Sequence, residues 1–223
     1  MNASVQELTI DVVSDVVCPW CFVGKRQLEQ AVAALAEEMP GTRINVSWHP
    51  FQLNPDISSD GMARSEYLSA KFGTHDTGAI YERVKQAAAQ VGLELSMERI
   101  SRQPNTVRPH ALIAVAGEDH QPAMVEALFK AYFVEGRDLT DDATLIEAAR
   151  AAGLPEPAIE SAMHDEGLAD TIRSADTSAR QMGVNGVPFF IFNRSLAVSG
   201  AAGADTLKKA ARQALAQASE DAD

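Results

Sequence analysis

The two cysteines of this 223-residue chain are separated by two residues, in the tetrapeptide Cys18-Pro19-Trp20-Cys21. The apolar run from Leu8 to Val13 precedes them, and its β-branched side chains are typical of a buried strand. Apolar residues then recur every three or four positions, as in a helix; they are Phe22, Leu28, Ala31, Val32, Ala34 and Leu35. The sequence therefore predicts a strand that ends shortly before Cys18 and a helix that begins there.

A cysteine at the start of a helix is predicted to be reactive. The first turn carries unpaired N–H groups and the positive end of the helix dipole, which together favour a thiolate. We therefore expect Cys18 to be the more exposed thiol and the attacking nucleophile. Cys21 lies one turn further on, where it is more buried, and is predicted to be the resolving thiol that closes the internal disulfide. Pro19 suits the first helical position, and Trp20 offers a flat apolar face for binding a polypeptide.

Two other uses of a cysteine pair are a zinc site and a structural disulfide. Four-coordinate zinc needs two further ligands, but the chain has no other cysteine, and its five histidines are scattered along the sequence. A disulfide across two intervening residues closes a very small loop and stabilises a fold little. Redox chemistry at Cys18 and Cys21 is therefore the favoured interpretation, and no metal site is predicted.

Charge and hydropathy argue against several classes of partner. The chain holds 19 lysines and arginines against 31 aspartates and glutamates, a net charge of −12, which disfavours nucleic acid and anionic membrane surfaces. No stretch approaches the ~18 consecutive apolar residues of a membrane span. Residues Met1 to Leu8 lack the cationic start and apolar segment of a secretory signal, so a cytoplasmic location is expected. In a reducing compartment, a cysteine pair is more often catalytic than structural.

The character of the predicted elements changes twice along the chain. Arg43 to Trp48 alternates like a strand, so the N-terminal part is predicted to be a βαβ unit with parallel strands. From about Gly61 to Met182, glycines and prolines separate six or seven helical patterns. Strand signals then return, and the predicted elements are a strand from Val187 to Phe192, a tight turn at Asn193-Arg194, an antiparallel strand from Leu196 to Ser199 and a helix from Asp205 to Ala218.

This order predicts an α/β fold with a core that is discontinuous in sequence. When the middle helices are set aside, the remaining elements form a thioredoxin-like arrangement, a central sheet with helices on both faces. We therefore predict a thioredoxin-like domain of residues 1–60 and 183–223, interrupted by an all-helical insertion domain of residues 61–182. A few aromatic residues could line a substrate groove, although burial in the core is the default; they are Trp48, Phe51, Tyr132 and Phe133.

Pro188 opens an apolar strand, where a proline is tolerated only if no ladder donor is needed. Only about 5–6% of X–Pro bonds are cis, so its position alone does not predict a cis bond. In the thioredoxin pattern, however, a cis proline begins this strand and faces the cysteine pair, which favours a cis Val187–Pro188 bond. The backbone there would hydrogen-bond an extended peptide, as in β-augmentation, which makes Val187 and Pro188 candidate substrate-docking residues. An ordinary trans proline is the alternative.

The segments that carry a family resemblance are Ser14 to Cys21 with Gly24-Lys25, Trp48 to Pro55, Asn105-Thr106, Ala127 to Phe133, Gly186 to Phe190 and Val198 to Ala201. In order and spacing they resemble the DsbA-like thioredoxin family, in its FrnE-type branch, over essentially the whole chain. The resemblance implies protein disulfide oxidoreductase or isomerase activity on protein or small-molecule thiols and disulfides, commonly in the cytosol. By the same analogy His110 would lie near the active-site groove, but a structural role for this histidine is the favoured interpretation.

Two other functions stay open on the same fold. Kappa-type glutathione transferases and hydroxychromene-carboxylate isomerases resemble this architecture, but they typically carry serine at the position of Cys18 and lack the second cysteine. A binding or chaperone module without redox chemistry is the third hypothesis. For the oxidoreductase, no cofactor is expected beyond the redox-active disulfide, with glutathione as a candidate co-substrate and a homodimer as a candidate assembly.

Overall fold

The computed structural model describes residues 6–73 and 78–220. Its strands are β1 (Gln6–Ser14), β2 (Thr42–Pro50), β3 (Met62–Ala63), β4 (Arg102–Gln103), β5 (Phe189–Phe192) and β6 (Leu196–Ser199). Its α-helices are α1 (Pro19–Glu38), α2 (Arg64–Phe72), α3 (Gly78–Gln90), α4 (Val107–Val115), α5 (Gly117–Phe129), α6 (Asp142–Ala151), α7 (Glu156–His164), α8 (Glu166–Gln181) and α9 (Ala204–Glu220). The chain also forms a 3₁₀ turn at Met97–Arg99 and a π-helical turn at Lys130–Val134, which continues α5.

The central sheet has the strand order β2-β1-β5-β6. β1 is parallel to β2, whereas β5 is antiparallel to both β1 and β6. The apolar residues predicted to share one face of β1 are buried, which places this strand inside the molecule; they are Leu8, Ile10 and Val12. Because α1 connects β1 to β2 and α9 follows β6, the order matches the predicted thioredoxin-like core.

The turn between β5 and β6 is the one predicted from Asn193-Arg194. Both residues adopt left-handed backbone conformations, with φ of 46° and 56°. Such a pair matches the twist of an antiparallel hairpin. The Asn193 side chain also accepts a hydrogen bond from the Thr9 backbone N–H at 2.9 Å, so the hairpin turn is tied directly to β1.

Among the described residues between β2 and β5, the regular elements are helices and one short ladder. β3 and β4 pair antiparallel, with Met62 opposite Gln103 and Ala63 opposite Arg102. The predicted all-helical segment therefore also contains two short strands, β3 and β4, which pair with each other. The division into a core domain and an insertion domain stays a prediction. None of the helices among the described residues is long and apolar enough to cross a membrane.

Two details of the helix starts differ from what local signals suggest. Proline is favoured at the first position of a helix, yet Pro122 lies inside α5, which begins at Gly117. Gly117 has a φ of 64°, so the chain can turn directly after α4 and start the next helix before the proline. At α6, Thr140 precedes the cap, and the Asp141 carboxylate accepts from the Thr144 N–H at 3.0 Å. A carboxylate is well suited there because it also complements the helix dipole.

Aromatic packing joins α1 to the helical segment. The Phe22 ring stacks on Phe129 with centroids 4.9 Å apart, and Phe133 lies 6.3 Å from Phe22. The four aromatic residues considered as groove candidates are all buried, so the structure places them in the core; they are Trp48, Phe51, Tyr132 and Phe133. The helix that carries the cysteines is therefore packed against the end of α5.

Charged side chains reinforce the same contact between α1 and α5. Lys25 is buried, and its Nζ lies 2.8 Å from a carboxylate oxygen of Glu126, which also pairs with Arg26. Burial raises the pKa of Glu126, but hydrogen bonds from Arg26 and Lys25 outweigh burial and lower it from 4.5 to about 2. The carboxylate therefore stabilises the folded protein most when it is ionised.

Replacing Glu126 with glutamine is expected to reduce the amount of folding stability that the protein loses when the pH is lowered. Because its pKa is about 2 when folded and 4.5 ordinarily, the carboxylate contributes stability above pH 4.5 that is lost as the pH falls towards 2. Between about pH 6 and about pH 3, the wild type should lose about 1 kcal/mol more than Glu126→Gln, after screening by solvent. Urea unfolding at both pH values measures this difference.

The matched control is Glu98→Gln, which removes an exposed carboxylate 2.7 Å from Lys85 Nζ. Exposed pairs contribute little, so this variant should follow the wild type at both pH values. Equal acid-side losses in the wild type and Glu126→Gln would contradict a stabilising role for the ionised Glu126.

Candidate active site

Cys18 caps the N-terminus of α1, directly after the chain leaves β1. Pro19 follows at the first helical position, as predicted, and the Cys21 N–H donates to the Cys18 carbonyl at 3.0 Å. Both cysteines are free thiols and both are buried, with exposed fractions of 5% for Cys18 and 1% for Cys21. Cys18 is thus the more accessible of the two, in the predicted order, although neither is openly exposed.

The environment of Cys21 favours its neutral form. Burial raises the pKa of the Cys21 thiol well above its usual value, and a hydrogen bond to the Cys18 sulfur raises it further. Two groups act in the opposite direction, since the Ser14 hydroxyl and the Asp15 backbone N–H hydrogen-bond the Cys21 sulfur. The raised pKa means that Cys21 keeps its proton at neutral pH in the reduced protein.

The loop before β5 covers Cys18 from the other side. The Val187–Pro188 peptide bond is cis. The Cys18 thiol donates to the Val187 carbonyl oxygen, with sulfur and oxygen 3.6 Å apart. Four of the six predicted site residues thus lie together, namely Cys18, Cys21, Val187 and Pro188. Pro19 and Trp20 are half-buried on the first turn of α1, and Trp20 packs partly against the core.

Gly24 allows α1 to lie directly against the proline loop. A Cβ added at Gly24 would stand 2.8 Å from Pro188 Cγ and 3.1 Å from Phe190 Cζ, closer than real Cβ contacts. The proline ring is part of the backbone and cannot rotate away. A residue without a side chain is therefore required at this point of the helix, one turn after Cys21.

Gly24→Ala is expected to reduce the stability of the folded protein. Alanine favours a helix by about 0.8–1 kcal/mol over glycine, so a net loss of about 1–2 kcal/mol would report the clash with Pro188. Urea unfolding measures this loss. Gly41→Ala is the matched control, because no atom lies within 4 Å of its added Cβ. A Gly24→Ala protein as stable as the wild type would contradict the close contact.

A buried carboxylate lies just before the cysteine motif. Asp15 is fully buried, and one of its carboxylate oxygens accepts from the Leu53 N–H at 2.8 Å. The Phe51 N–H donates to the Ser14 carbonyl at 3.0 Å. His110 Nε2, from α4, lies 3.2 Å from the Phe51 carbonyl oxygen and 3.3 Å from the second carboxylate oxygen of Asp15. The loop after β2 is therefore bound to the residues that precede Cys18.

The same loop is held on its other side by α8. The Asp176 carboxylate accepts from the Gln52 N–H at 2.8 Å and from Arg180 at 3.0 Å. The Arg180 guanidinium donates to the Gln52 carbonyl and lies 4.1 Å from the centre of the Phe51 ring. Phe51 in turn packs in one cluster with Val184. Since α8 leads into the proline loop, these contacts join the loop after β2 to the helix that precedes the proline loop.

Sequence reasoning assigned no role to Ser14, which is buried and whose hydroxyl acts to lower the pKa of Cys21. The signal was present in the alternation of β1, because Ser14 falls on the same face as Leu8, Ile10 and Val12. The contact of His110 with Asp15 had no comparable local signal. Within the ranges that the structure describes, no three histidine, cysteine or acidic side chains are grouped to hold a metal ion.

The chain is similar in sequence and in structure to known proteins. The sequence model of the DSBA-like thioredoxin domain matches residues 9–212. The crystal structure of a probable DsbA oxidoreductase from Streptomyces coelicolor is similar, with a TM-score of 0.80 and 30% identity over 93% of this chain and 89% of that chain. The cytosolic disulfide reductase DsbM from Pseudomonas aeruginosa, solved with glutathione, shares the fold, with a TM-score of 0.62 and 19% identity over 96% and 98% of the two chains. An uncharacterized Bacillus subtilis protein, YwbO, is 28% identical over 203 residues, 90% of this chain and 94% of that protein.

Proposed function

Because the chain belongs to the family of DsbA-like thioredoxin domains, we propose that it is a thiol–disulfide oxidoreductase that works through Cys18 and Cys21. The observation that carries this proposal is the arrangement of the two thiols. Cys18 caps a helix and faces the Val187 carbonyl at 3.6 Å, and Cys21 lies one turn behind it. A first thiol at the start of a helix, with a second and less accessible thiol one turn behind it, suits a two-step exchange.

In the first step, the Cys18 thiolate attacks one sulfur of a substrate disulfide. A mixed disulfide forms between Cys18 and the substrate, and the other substrate sulfur leaves as a thiolate. In the second step, the Cys21 thiolate attacks the Cys18 sulfur, which releases the second substrate thiolate and leaves a Cys18–Cys21 disulfide. Two electrons pass to the substrate, and the reverse sequence oxidises a substrate dithiol. The relative redox potentials of the protein and its partner set the direction.

Substrate would dock beside the proline loop and the first turn of α1. The backbone at Val187 and Pro188 is placed to pair with an extended peptide, as in β-augmentation. Pro19 and Trp20 would supply apolar contact on the other side of Cys18. The proposed partners are protein or small-molecule thiols and disulfides, and isomerase activity would follow if Cys18 attacks and releases wrongly paired disulfides. The assignment to the FrnE-type branch belongs to the same proposal.

Glutathione is the proposed small-molecule co-substrate, and the cytoplasm is the proposed location. Both are supported by the fold shared with a cytosolic disulfide reductase that was solved with glutathione. The presence of both cysteines favours this role over that of the glutathione-dependent isomerases, which typically lack the pair.

A redox titration of the Cys18–Cys21 pair in glutathione buffers tests the proposal. We expect a reversible two-electron couple with a midpoint between about −270 mV, the value for thioredoxin, and about −120 mV, the value for DsbA. The midpoint would decide whether the protein reduces or oxidises its partners. A pair that forms no reversible couple would overturn the oxidoreductase role and favour a glutathione-dependent isomerase or a binding module.

A further inference from the structure

The backbone of the loop after β2 is bound on two opposite sides. The N–H groups of Phe51 and Leu53 donate to the segment before the cysteine motif, at 3.0 and 2.8 Å. Gln52, between them, is bound from the other side, because its N–H donates to the Asp176 carboxylate at 2.8 Å and its carbonyl accepts from Arg180. Two side chains of α8 therefore occupy the place that a neighbouring strand would have at Gln52.

Asp176 and Arg180 lie one turn apart on α8 and support each other. The Arg180 Nε donates to the second Asp176 carboxylate oxygen at 3.0 Å. The Asp176 side chain is only 6% exposed, so its charge needs a partner at this position. The same guanidinium lies 4.1 Å from the centre of the Phe51 ring, which is a cation–π distance. Arg180 thus binds a carboxylate, a backbone carbonyl and an aromatic ring at once.

The Phe51 ring connects this pair to the proline loop. It belongs to a small group of buried residues, apart from the main core, which we call the Phe51 cluster; its members are Val13, Phe51, Ala179 and Val184. Val187 packs against this cluster. The Val184 N–H also donates to the Ala179 carbonyl at 3.1 Å, so the first part of the proline loop is bound to the end of α8.

The other end of the proline loop is held by different elements. The Gly200 N–H donates to the Pro188 carbonyl at 2.7 Å, and the Pro188 ring lies against Gly24 in α1. Val187 is one residue earlier, and its carbonyl oxygen faces the Cys18 sulfur at 3.6 Å. The sheet and α1 therefore hold Pro188, whereas the Phe51 cluster supports Val187.

We propose that Asp176 and Arg180 are positioning residues that set the affinity for peptide disulfides by holding Val187 in place through Phe51. This inference rests on the proposed function, in which an extended peptide pairs with the backbone at Val187. A disulfide that has no peptide backbone cannot use this pairing. Its reduction therefore does not depend on the two α8 side chains.

The test compares two disulfides that the full chain reduces, with dithiothreitol returning the Cys18–Cys21 disulfide to the dithiol. One is a synthetic peptide closed by a single disulfide, and the other is bis(2-hydroxyethyl) disulfide, which has no amide group. Arg180→Met keeps an apolar stem beside Phe51 but loses both hydrogen bonds of the guanidinium. We expect the KM for the peptide to rise about 10-fold, the effect of weakening one or two backbone hydrogen bonds, with kcat nearly unchanged. The kcat/KM for the small disulfide should stay within about 2-fold of the wild-type value.

Arg173→Met is the matched control. Arg173 lies on the same helix and pairs with Asp170 at the surface, with nitrogen and oxygen 2.7 Å apart, so both disulfides should keep their wild-type constants. A wild-type KM for the peptide in Arg180→Met overturns the inference. It is also overturned if kcat/KM falls equally for the two disulfides, because that result would mean a purely structural role for Arg180.

If Arg180→Met does not fold, Arg180→Lys decides. Its ammonium can pair with Asp176, but it cannot also bind the Gln52 carbonyl and cover the Phe51 ring as a planar guanidinium does. The peptide KM should therefore still rise at least about 3-fold, and an unchanged KM overturns the inference. A wild type that reduces neither disulfide faster than dithiothreitol alone would overturn the proposed function and the inference together. A wild type that reduces both, with the same KM in the Arg180 variants, would overturn the inference alone.

Discussion

Replacing Cys18 with serine is expected to lower the rate of insulin disulfide reduction by at least about 100-fold, because the covalent path is removed with its nucleophile. A serine hydroxyl cannot form a disulfide with the substrate. It can still donate to the Val187 carbonyl, as the Cys18 thiol does at 3.6 Å, so the fold should be retained. Turbidity of reduced insulin in the presence of dithiothreitol measures the rate, and the thermal unfolding midpoint checks the fold.

Cys21→Ser is the matched variant, since it removes the other thiol of the same helix turn. It should still attack a substrate disulfide through Cys18 but fail to release it, so a covalent complex with substrate should accumulate on non-reducing gels. Cys18→Ser should form no such complex. Insulin reduction that survives in Cys18→Ser, or a complex trapped equally by both variants, would contradict the assignment of Cys18 as nucleophile and Cys21 as resolving thiol.

Phe129→Ala is expected to destabilise the protein by about 3–5 kcal/mol, the usual cost of removing a buried phenylalanine. Phe129 is fully buried and stacks on Phe22, the residue directly after Cys21, with ring centroids 4.9 Å apart. Its removal would leave a cavity between α1 and α5. Urea unfolding followed by tryptophan fluorescence measures the loss, because Trp20 and Trp48 both lie outside the helical segment.

Phe72→Ala provides the control with the same chemical change. Phe72 ends α2 and is 42% exposed, so its loss should change stability by at most about 0.5 kcal/mol. If Phe129→Ala leaves the fluorescence transition where it is in the wild type, the aromatic contact does not connect the helical segment to the sheet. Equal losses in both variants would contradict the difference in burial.

Local patterns in the sequence were sufficient for the thioredoxin-like order of elements. The β-branched run before Cys18 and the helical spacing after Phe22 place the cysteines at a strand–helix junction. The pair Asn193-Arg194 between two apolar runs predicts a tight turn. Such patterns predict secondary structure because apolar residues repeat every two positions in a strand and about every 3.6 positions in a helix. The repeat shows which side of the element is buried, and it does not depend on which other element covers that side.

Other features of the structure could be predicted from the sequence only in part. The cis Val187–Pro188 bond was favoured by the fold pattern and not by its position, since a strand-opening proline is more often trans. The start of α5 could not be predicted from Pro122, because this proline lies inside the helix, which begins at Gly117. The residues considered for a substrate groove, Trp48 and Tyr132 among them, are buried, because apolar spacing does not distinguish a groove from a core.

The sequence by itself determined that a strand leads to two closely spaced thiols at the start of a helix, because these are relations between neighbours in the chain. Only the tertiary structure decided what surrounds those thiols. The Cys18 sulfur meets the Val187 carbonyl across 169 positions, and the buried Asp15 carboxylate meets Leu53 and His110. Periodicity predicts that a side chain is buried, but which distant group it meets depends on how the whole chain packs.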